Sequence, residues 1–274
     1  MVATPEKTLN SPNIILMKYN LPESFEEDFE HYHLPKKLKN IGIMNDIHIP
    51  FHNLSALEEA INYFIIKKVD GILLNGDVLD CYQLSKFQPD PRKRKFAEEI
   101  LAFQQFIKSL RDNVTKNIFF KLGNHCERYE RIMIQRSPEF LDIAKFDFEN
   151  VLGCNELGVT VIKDQRIVYV GNLPVLHGHE IGMKYANVNP ARTLFLKTYK
   201  SSLCGHLHRS SEHNEQSLDG KIISCWSVGH LGDSHPLYRR INNWNHGVAR
   251  IEKDENGDFE VINLRLIKNK LFRT

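Results

Sequence analysis

Short apolar runs alternate with helical stripes of apolar residues along the first half of the chain. The runs at residues 38–45, 71–75 and 117–122 have the length and composition of buried strands. Between the first two, a capping box that begins at Ser55 and apolar positions at helical spacing predict an amphipathic helix over 55–68. Such strand–helix–strand units build a parallel sheet whose ligands bind beyond the carboxyl ends of the strands. The pattern therefore predicts an α/β fold with its functional groups at that edge.

The rest of the chain is expected to add helices and a second sheet. Helices are predicted from Phe96 to Leu110, over 126–147 with an interruption at Ser137 before Pro138, where Ser137 caps the second piece, and over 190–200. Strands are predicted at 160–162, 166–170, 173–176, 222–228, 247–252 and 259–267. We expect the first two of these strands to form a hairpin or to lie side by side, and the last three to complete the second sheet. The dipeptide of Asn256 and Gly257 suits a hairpin turn between the final two strands.

Acidic, amide and imidazole side chains follow the predicted strands. In chain order the groups are Asp46-Ile47-His48, Gly76-Asp77 with Asp80, Gly123-Asn124-His125, His177-Gly178-His179 and Gly205-His206-Leu207-His208. Each group alone has an ordinary interpretation as a polar loop start or a satisfied buried histidine. Their recurrence after successive strands is not a pattern that a core requires, and carboxylate, amide and imidazole groups are metal ligands. The sequence therefore predicts a metal site in which Asp77 is the natural bridging ligand.

The composition is that of a soluble globular protein and argues against several other classes. The 274 residues, 42% hydrophobic and 26% charged, suffice for one large domain with a buried core. The formal charge of +2 gives no general argument for a polyanionic partner. The five cysteines form no CxxC pair, which predicts reduced thiols. No apolar run approaches the ~20 residues that span a bilayer, so we expect a cytoplasmic protein that does not associate with membranes.

Segments outside the motifs have both an ordinary and a functional interpretation. Residues 1–37 are rich in proline and acidic residues, so we expect an extension followed by a single domain at 38–274. The loop-rich stretch 229–245, which contains Arg239 and Trp244, is either exposed loop or a lid that selects the substrate.

A basic run precedes the second predicted helix. It consists of Arg92, Lys93, Arg94 and Lys95. Such a run is either a solvated helix start or a basic lip that holds a nucleic-acid backbone beside the site.

In their order, the five motifs resemble those of the calcineurin-like metallophosphoesterase superfamily over about residues 40–210. The resemblance implies a four-layer αββα sandwich, in which helices flank two mixed β-sheets and a dinuclear metal site lies at the strand carboxyl ends. It implies that Asp46, His48, Asp77 and His208 bind one metal, and that Asp77, Asn124, His177 and His206 bind the other. Mn²⁺ is the expected divalent ion, and Fe, Zn²⁺ and Ni²⁺ stay open as alternatives.

The resemblance also implies an activity. A metallophosphoesterase is a hydrolase in which a hydroxide bridging the two metals attacks the phosphate ester. It implies that His125 contacts the phosphate and helps the leaving group to depart, and that Asp80 orients His125 by accepting its ring N–H.

Departures from the family pattern bear on the substrate. Branches of the family that act on phosphoproteins have arginine at the position of Cys81, and usually an acidic residue at the position of Cys126. Without that arginine, the candidates for holding substrate oxygens are Arg128, His179 and Arg209, each of which is equally well explained as a surface or supporting group.

We therefore expect a phosphodiester of a nucleotide or of a nucleic acid as the substrate. A phosphomonoesterase or a Ser/Thr-type protein phosphatase is the alternative. An inactive scaffold with the same fold is a further alternative, which is disfavoured because every position of the ligand set is filled.

Overall fold

Two β-sheets form the centre of the fold. The computed structural model describes residues 21–86, 89–90, 92, 95–184 and 188–274. The strands in this part of the chain are β1 (Tyr32–His33), β2 (Asn40–Met44), β3 (Gly71–Asn75), β4 (Ile118–Lys121), β5 (Val159–Ile162), β6 (Val168–Val170), β7 (Leu173–Leu176), β8 (Ser202–Cys204), β9 (Ser211–Gln216), β10 (Ile222–Ser227), β11 (Gly247–Lys253), β12 (Phe259–Ile267) and β13 (Lys270–Arg273). The helices are α1 (Leu54–Ile66), α2 (Phe96–Asn113), α3 (Arg128–Arg136), α4 (Phe148–Val151) and α5 (Pro190–Thr198).

Both sheets are mixed, as expected. One sheet has seven strands in the order β13-β12-β11-β2-β3-β4-β5, and the other has six in the order β1-β6-β7-β8-β10-β9. Strands β2 to β5 run parallel, whereas β11 pairs antiparallel with β2. In the six-stranded sheet β7, β8 and β10 run parallel, whereas β6 pairs antiparallel with β7 and β9 pairs antiparallel with β10. The parallel strands of each sheet thus supply the carboxyl ends at which ligands bind.

Three apolar cores separate four layers. Alternation along β3 sends Ile72 and Leu74 toward α1 and α2, while Leu73 packs between the sheets. The core between the sheets also holds Val175 of β7 and Leu203 of β8. On the far face of the six-stranded sheet, α5 completes a third core with a set of residues that includes Leu176, Cys204, Ala191 and Leu194. The layers are therefore helix, sheet, sheet and helix, which confirms the expected αββα sandwich.

Two predicted helix caps were wrong. Helix α1 begins after Asn53, whose side chain accepts the backbone N–H of Ala56 at 2.9 Å, so Ser55 lies inside the helix. Ser137 makes no capping hydrogen bond with its side chain, and only short 3₁₀ turns follow it. Residues 138–146 are exposed, and a segment without a buried apolar stripe has little to stabilise a longer helix.

The predicted pairing of several strands was also wrong. β5 and β6 form no hairpin, because β5 extends the seven-stranded sheet beside β4 and β6 belongs to the six-stranded sheet. The three final predicted strands do not share one sheet: β10 pairs with β8, whereas β11 pairs with β2. Apolar alternation fixes which face of a strand is buried, but both sheets bury an inner face, so it does not choose between them. The hairpin through Gly257 does join β11 to β12.

Contacts divide the described chain into two units. Residues up to Glu30 form one unit, of which residues 21–30 contain no helix or strand and are exposed. The other unit is His31–Thr274, and its first strand, β1, pairs parallel with β6. The compact unit therefore starts before residue 38, where the sequence analysis placed the domain boundary. Among the described residues, no helix is both long and apolar enough to cross a membrane.

Candidate metal centre

The loops after five parallel strands supply the predicted ligand residues. β2 and β3 of the seven-stranded sheet lead into Asp46, His48 and Asp77. β4 of the same sheet leads into the loop of Asn124 and His125, and β7 and β8 of the other sheet lead into the three remaining histidines, His177, His206 and His208. The centre is therefore built from both sheets at once.

The first cluster consists of Asp46, His48 and His208. Each residue offers one ligand atom, and these atoms lie within 4.8 Å of one another. The Asp46 Oδ1 atom is 3.2 Å from Nε2 of His208, and the Nε2 atoms of the two histidines are 3.4 Å apart. All three side chains are buried. A carboxylate oxygen and two imidazole nitrogens that converge in this way form a cation-binding arrangement.

The second cluster consists of Asp77, His177 and His206, again with ligand atoms within 4.8 Å. His177 donates from Nδ1 to the carbonyl oxygen of Asn75 at 2.8 Å, which fixes its tautomer. Its Nε2 atom is therefore the nitrogen that faces the centre, and it lies 3.2 Å from Oδ2 of Asp77. This carbonyl–imidazole contact is the outer-shell support that metal-binding histidines normally have.

The two clusters adjoin through their carboxylates. Asp46 Oδ1 is 3.9 Å from Nε2 of His177, a residue of the second cluster. Asp77 also belongs to a further group of convergent ligand atoms with His48 and His125. Asp46 and Asp77 thus lie between the two histidine sets, which is the arrangement that a dinuclear site requires.

Several buried atoms of the centre fit a metal ion. Asp46 Oδ1, Asn124 Oδ1 and His177 Nε2 are buried and have no hydrogen-bond partner. A buried polar atom in this condition is costly, by about 1–3 kcal/mol for a neutral group and more for a charged one. Coordination to a cation would satisfy all three atoms, and carboxylate, amide and imidazole donors suit a divalent metal. The residues present therefore fit the metal pair that the sequence predicted.

The backbone around the centre is unusual. Five of the predicted ligand residues have left-handed backbone conformations, namely Asp46, His48, Asp77, His206 and His208, with φ between 50° and 66°. Such conformations cost about 1–3 kcal/mol each in non-glycine residues and concentrate at functional sites. Close packing adds a second constraint, since a Cβ atom on Gly76 would lie 2.1 Å from Nδ1 of His177, and one on Gly123 would lie 2.3 Å from Oδ1 of Asp77.

Burial and neighbouring charges together set the pKa values of the ligand groups. Burial would raise the pKa of Asp46, but the imidazoles of His208 and His177 lower it below its usual range. Burial would lower the pKa of His177, but the carboxylates of Asp77 and Asp46 raise it to about 10. Burial, reinforced by the neighbouring His177, lowers the pKa of His206 to about 4. At neutral pH Asp46 and Asp77 are therefore ionised and His206 is neutral, as ligands must be, whereas His177 keeps a proton that it would release on binding a cation.

His125 lies beside the second cluster in contact with Asp80 and Arg128. Its Nδ1 atom is 2.9 Å from the carbonyl oxygen of Asp80 and 3.2 Å from the carboxylate Oδ1 of the same residue. Arg128 donates from one guanidinium nitrogen to Nε2 of His125 and from the other to the Asp80 carbonyl, both at 2.9 Å. Because a guanidinium can only donate, Nε2 is the acceptor and the ring proton is on Nδ1. The Asp80 carboxylate also accepts from His48 at 3.0 Å, so it links His48 to His125.

Comparison with known proteins identifies the family. Residues 39–219 match the family model described as calcineurin-like phosphoesterase. The chain belongs to the calcineurin-like phosphoesterase family. The Gene 54 protein of Mycobacterium phage L5 is 25% identical over 230 residues, which cover 79% of this chain and 89% of that protein. The Gene 54 protein of Mycobacterium phage D29 is 25% identical over 232 residues, covering 80% and 90%. The resemblance inferred from the five motifs is thereby confirmed.

Solved structures with a similar fold are more distant. Vps29 from Cryptosporidium parvum has a TM-score of 0.47 and 14% identity, covering 86% of this chain and 96% of that chain. Wild-type Vps29 from Entamoeba histolytica, complexed with Zn²⁺, has a TM-score of 0.42 and 10% identity, covering 85% and 96%. YfcE, a phosphoesterase from E. coli, has a TM-score of 0.37 and 15% identity, covering 81% and 98%. The family assignment depends on the family model and not on these structures.

The candidate substrate-binding residues of this calcineurin-like phosphoesterase differ in position. Arg128 touches His125, as described above, and the His179 ring lies 5.3 Å from the His177 ring. His179 is held by Glu127, whose carboxylate is 3.0 Å from its Nε2 atom. Arg209 instead donates to the carbonyl oxygen of Val188. Two of the three candidates therefore adjoin the centre, and the contact of Arg209 is with a loop carbonyl.

The basic run is only partly described. Lys93 and Arg94 lie outside the described residues. Arg92 is exposed and pairs with Asp90 at 3.0 Å, and Lys95 is the exposed residue that precedes α2. Both described residues have the surroundings of a solvated helix start, and a nucleic-acid surface stays a prediction.

Sequence reasoning missed two supports of the centre. His230 is fully buried, and its ring stacks on His208 at 4.7 Å with an interplanar angle of 2°. Glu180 accepts the backbone N–H groups of His177 and Gly178, and it pairs with the buried Lys121 at 2.8 Å. A signal for Glu180 was its place directly after the histidine motif. The sequence contains none for Lys121, since lysine at the end of an apolar strand is ordinarily exposed.

Proposed function

We propose that this calcineurin-like phosphoesterase hydrolyses a phosphodiester of a nucleotide or of a nucleic acid with two divalent cations, of which Mn²⁺ is the expected one. One cation would be held by Asp46, His48, Asp77 and His208, and the other by Asp77, Asn124, His177 and His206. The observation that carries the proposal is the pair of adjoining clusters, in which Asp46 Oδ1 lies within 4 Å of histidines from both. Enzymes that carry out in-line displacement at phosphorus with two metal ions hold those ions in two donor sets that lie close together.

The bound cations would supply Lewis-acid activation of water and neutralise charge on the phosphoryl oxygens. The chain itself supplies orientation and proton transfer. Asp80 holds the Nδ1 side of His125, so Nε2 is the atom that faces the substrate. When Arg128 leaves Nε2, this atom can take up a proton from solvent and donate it to the leaving oxygen, and the displaced guanidinium can bind a phosphoryl oxygen. A positioned acid of this kind contributes about 10²–10⁴-fold to the rate.

The diester preference is supported by the surroundings of Cys81. This residue stands at the arginine position of the phosphoprotein branches, and it is fully buried. A cysteine side chain carries no positive charge in either protonation state, so it cannot take the place of an arginine that binds a dianionic phosphate. A phosphodiester carries one negative charge fewer than a monoester and needs less cationic binding.

One observation favours the phosphomonoesterase or protein phosphatase alternative. The Arg128 guanidinium lies 2.9 Å from Nε2 of His125, so an arginine from α3 is available near the centre. It could replace the missing clamp by binding two oxygens of a monoester. Turnover of monoesters and of diesters distinguishes the two substrate classes.

Metal analysis combined with a substrate panel tests the proposal. The purified protein, loaded with Mn²⁺, would be assayed on bis(p-nitrophenyl) phosphate, p-nitrophenyl phosphate, a phosphopeptide and single-stranded DNA. We expect two equivalents of metal and the highest kcat/KM on a diester. Turnover of only the monoester and the phosphopeptide would establish the alternative. A metal-loaded protein without activity on any ester, but with a stable partner in pull-down, would indicate the inactive scaffold.

A further inference from the structure

Aromatic side chains line a pocket that opens directly onto the metal centre. The pocket has a volume of about 320 Å³, and three of its lining residues, His48, Asp80 and His208, belong to the centre or contact it. The rest of the lining is mainly aromatic and consists of Phe51, Tyr82, Tyr238 and Trp244, with Pro236 and one carboxylate, Asp233. This volume is at the lower end of the range for small-molecule sites, about 300–1,000 Å³. An occupant must therefore be small and must lie next to the phosphoryl group.

The aromatic rings come in two pairs from separate segments. Phe51 and Tyr82, from the loops after β2 and β3, form an edge-to-face pair with centroids 5.9 Å apart. Tyr238 and Trp244, from the stretch between β10 and β11, have centroids 6.4 Å apart. Trp244 is anchored to the centre because its ring meets His208 edge-on at 4.3 Å. The Tyr238 side chain contributes little to a core, since 72% of the residue is exposed.

The charges at the pocket restrict the kind of occupant. The Arg239 guanidinium lies 5.6 Å from the centre of the Trp244 ring, which adds positive charge beside the aromatic surface. Asp233 supplies an acceptor that an N–H group of the occupant can use. The Asp233 carboxylate accepts the backbone N–H of His235 at Oδ1, and its remaining lone pairs can accept a further donor. An acyl chain would use neither these lone pairs nor the flat ring faces. A nucleobase offers both a stacking face and N–H donors, and in a nucleotide it lies one sugar away from a phosphate.

We infer that this pocket binds the nucleobase of a nucleotide ester whose phosphate lies at the metal centre. The inference rests on the proposed phosphoesterase function for the position of that phosphate. It adds a specificity site that the family assignment does not contain, built from Phe51, Tyr82, Tyr238 and Trp244. The stretch 229–245 then acts as a selecting lid, because it contributes Tyr238, Trp244 and Asp233.

Calorimetric binding to the metal-loaded protein tests this inference without any turnover. The probes are thymidine 5′-monophosphate and methyl phosphate, which share the phosphate and differ in the nucleoside, together with phenyl phosphate, which carries a simple aryl ring. We expect the nucleotide to bind at least about tenfold more tightly than methyl phosphate, as one base-stacking contact provides. Tyr238→Ala should reduce this preference by about tenfold, whereas Tyr238→Phe, which retains the ring, should preserve it.

Ile241→Ala is the matched control. Ile241 lies in the same stretch, is 95% exposed and does not line the pocket, so its truncation should change neither the preference nor the activity. Equal affinities for the nucleotide and methyl phosphate, or an unchanged preference in Tyr238→Ala, would overturn the inference. Phenyl phosphate binding as tightly as the nucleotide would also overturn it and would indicate an aryl phosphate, such as a phosphotyrosyl peptide, as the occupant.

The two proposals fail in different ways. If the protein hydrolyses esters but does not prefer the nucleotide, the nucleobase pocket is excluded and the phosphoesterase function stands. If the protein hydrolyses nothing but shows a strong, Tyr238-dependent preference for the nucleotide, the nucleobase pocket stands and the proposed activity is excluded.

Discussion

The carboxylate of Asp46 and the backbone of His206 join the two sheets at the metal centre. Asp46 follows β2 of the seven-stranded sheet, and its Oδ2 atom accepts the N–H of His206, 160 residues away after β8 of the six-stranded sheet, at 2.8 Å. The second oxygen of the same carboxylate lies 3.2 Å from Nε2 of His208. One side chain thus sets the position of both histidines of this loop, and the site forms only when the sheets pack together.

Replacing Asp77 by asparagine should empty the centre. The neutral amide removes a negative charge from the residue that lies between both histidine sets, so Asp77→Asn should lose bound metal and reduce kcat/KM by more than about 100-fold, the upper range for outer-shell substitutions. His206→Ala should behave in the same way. Asp142→Asn, at an exposed acid, is the control and should retain two metals. Full metal content with full activity in Asp77→Asn would exclude the ligand assignment, which metal analysis by mass spectrometry can decide.

His125→Ala should separate metal binding from turnover. The side chain contacts Asp80 and Arg128 but is not in the proposed ligand set, so both metals should remain while kcat falls by about 10²–10⁴-fold. The loss should be smaller for an ester with a good leaving group such as p-nitrophenolate, because that group needs no proton. His33→Ala, at an exposed histidine of β1, should match the unmodified protein in both measurements. Loss of metal in His125→Ala would instead place this histidine among the ligands.

A methyl group at Gly123 should disturb metal binding more than folding. The added Cβ would lie 2.3 Å from Oδ1 of Asp77, so the carboxylate has to move, and overpacking of this kind typically costs about 1–3 kcal/mol. Gly182→Ala is the control, because Gly182 has no atom within 4 Å of a new Cβ, so its alanine is strained only by the φ of +63°. We expect titration to show weaker metal binding in Gly123→Ala alone. Similar metal affinities in the two variants would mean that the Asp77 carboxylate relaxes freely.

The buried pair of Lys121 and Glu180 should stabilise the fold as a unit. Lys121 is fully buried, and removing its charge in Lys121→Met leaves Glu180 unpaired, which should lower the free energy of unfolding by about 3–5 kcal/mol. Glu180 also holds the backbone of His177, so metal affinity should fall as well. Adding Glu180→Gln should recover part of the lost stability, because the uncompensated charge is then gone. Additive losses in a urea-unfolding double-mutant cycle would contradict this coupling.

Glu99 should make stability depend on pH. Its buried carboxyl group accepts the N–H groups of Cys81 and Tyr82, and burial, followed by the charge of Asp80, raises its pKa from 4.5 to about 7. A raised acid pKa means that the folded protein binds the proton more tightly, so the free energy of unfolding should decrease as pH rises from about 4.5 to about 7. The contribution is up to about 3 kcal/mol. Urea unfolding at both ends of this range should show a smaller pH dependence in Glu99→Gln, and an equal dependence in both proteins would exclude this origin.

The acidic and imidazole groups of the centre were recognisable in the sequence for a local reason. A strand that ends in Asp46 or Asp77 carries its ligand within a few residues of an apolar run, so order along the chain reveals both. Partners from distant segments gave no such signal. Lys121, for example, pairs with Glu180 across the two sheets.

By itself, the sequence determined the buried strands of the first sheet and the polar residues that follow them, because short runs of residues encode burial and turns. The order of these motifs indicated the family, and the resemblance to that family implied the four layers. Only the tertiary structure decided which sheet each later strand joins, how Asp46 reaches the loop of His206 and His208, and that Tyr238 and Trp244 line a pocket beside them. These relationships depend on how two twisted sheets pack face to face, and that packing is set by many weak contacts between residues far apart in the chain.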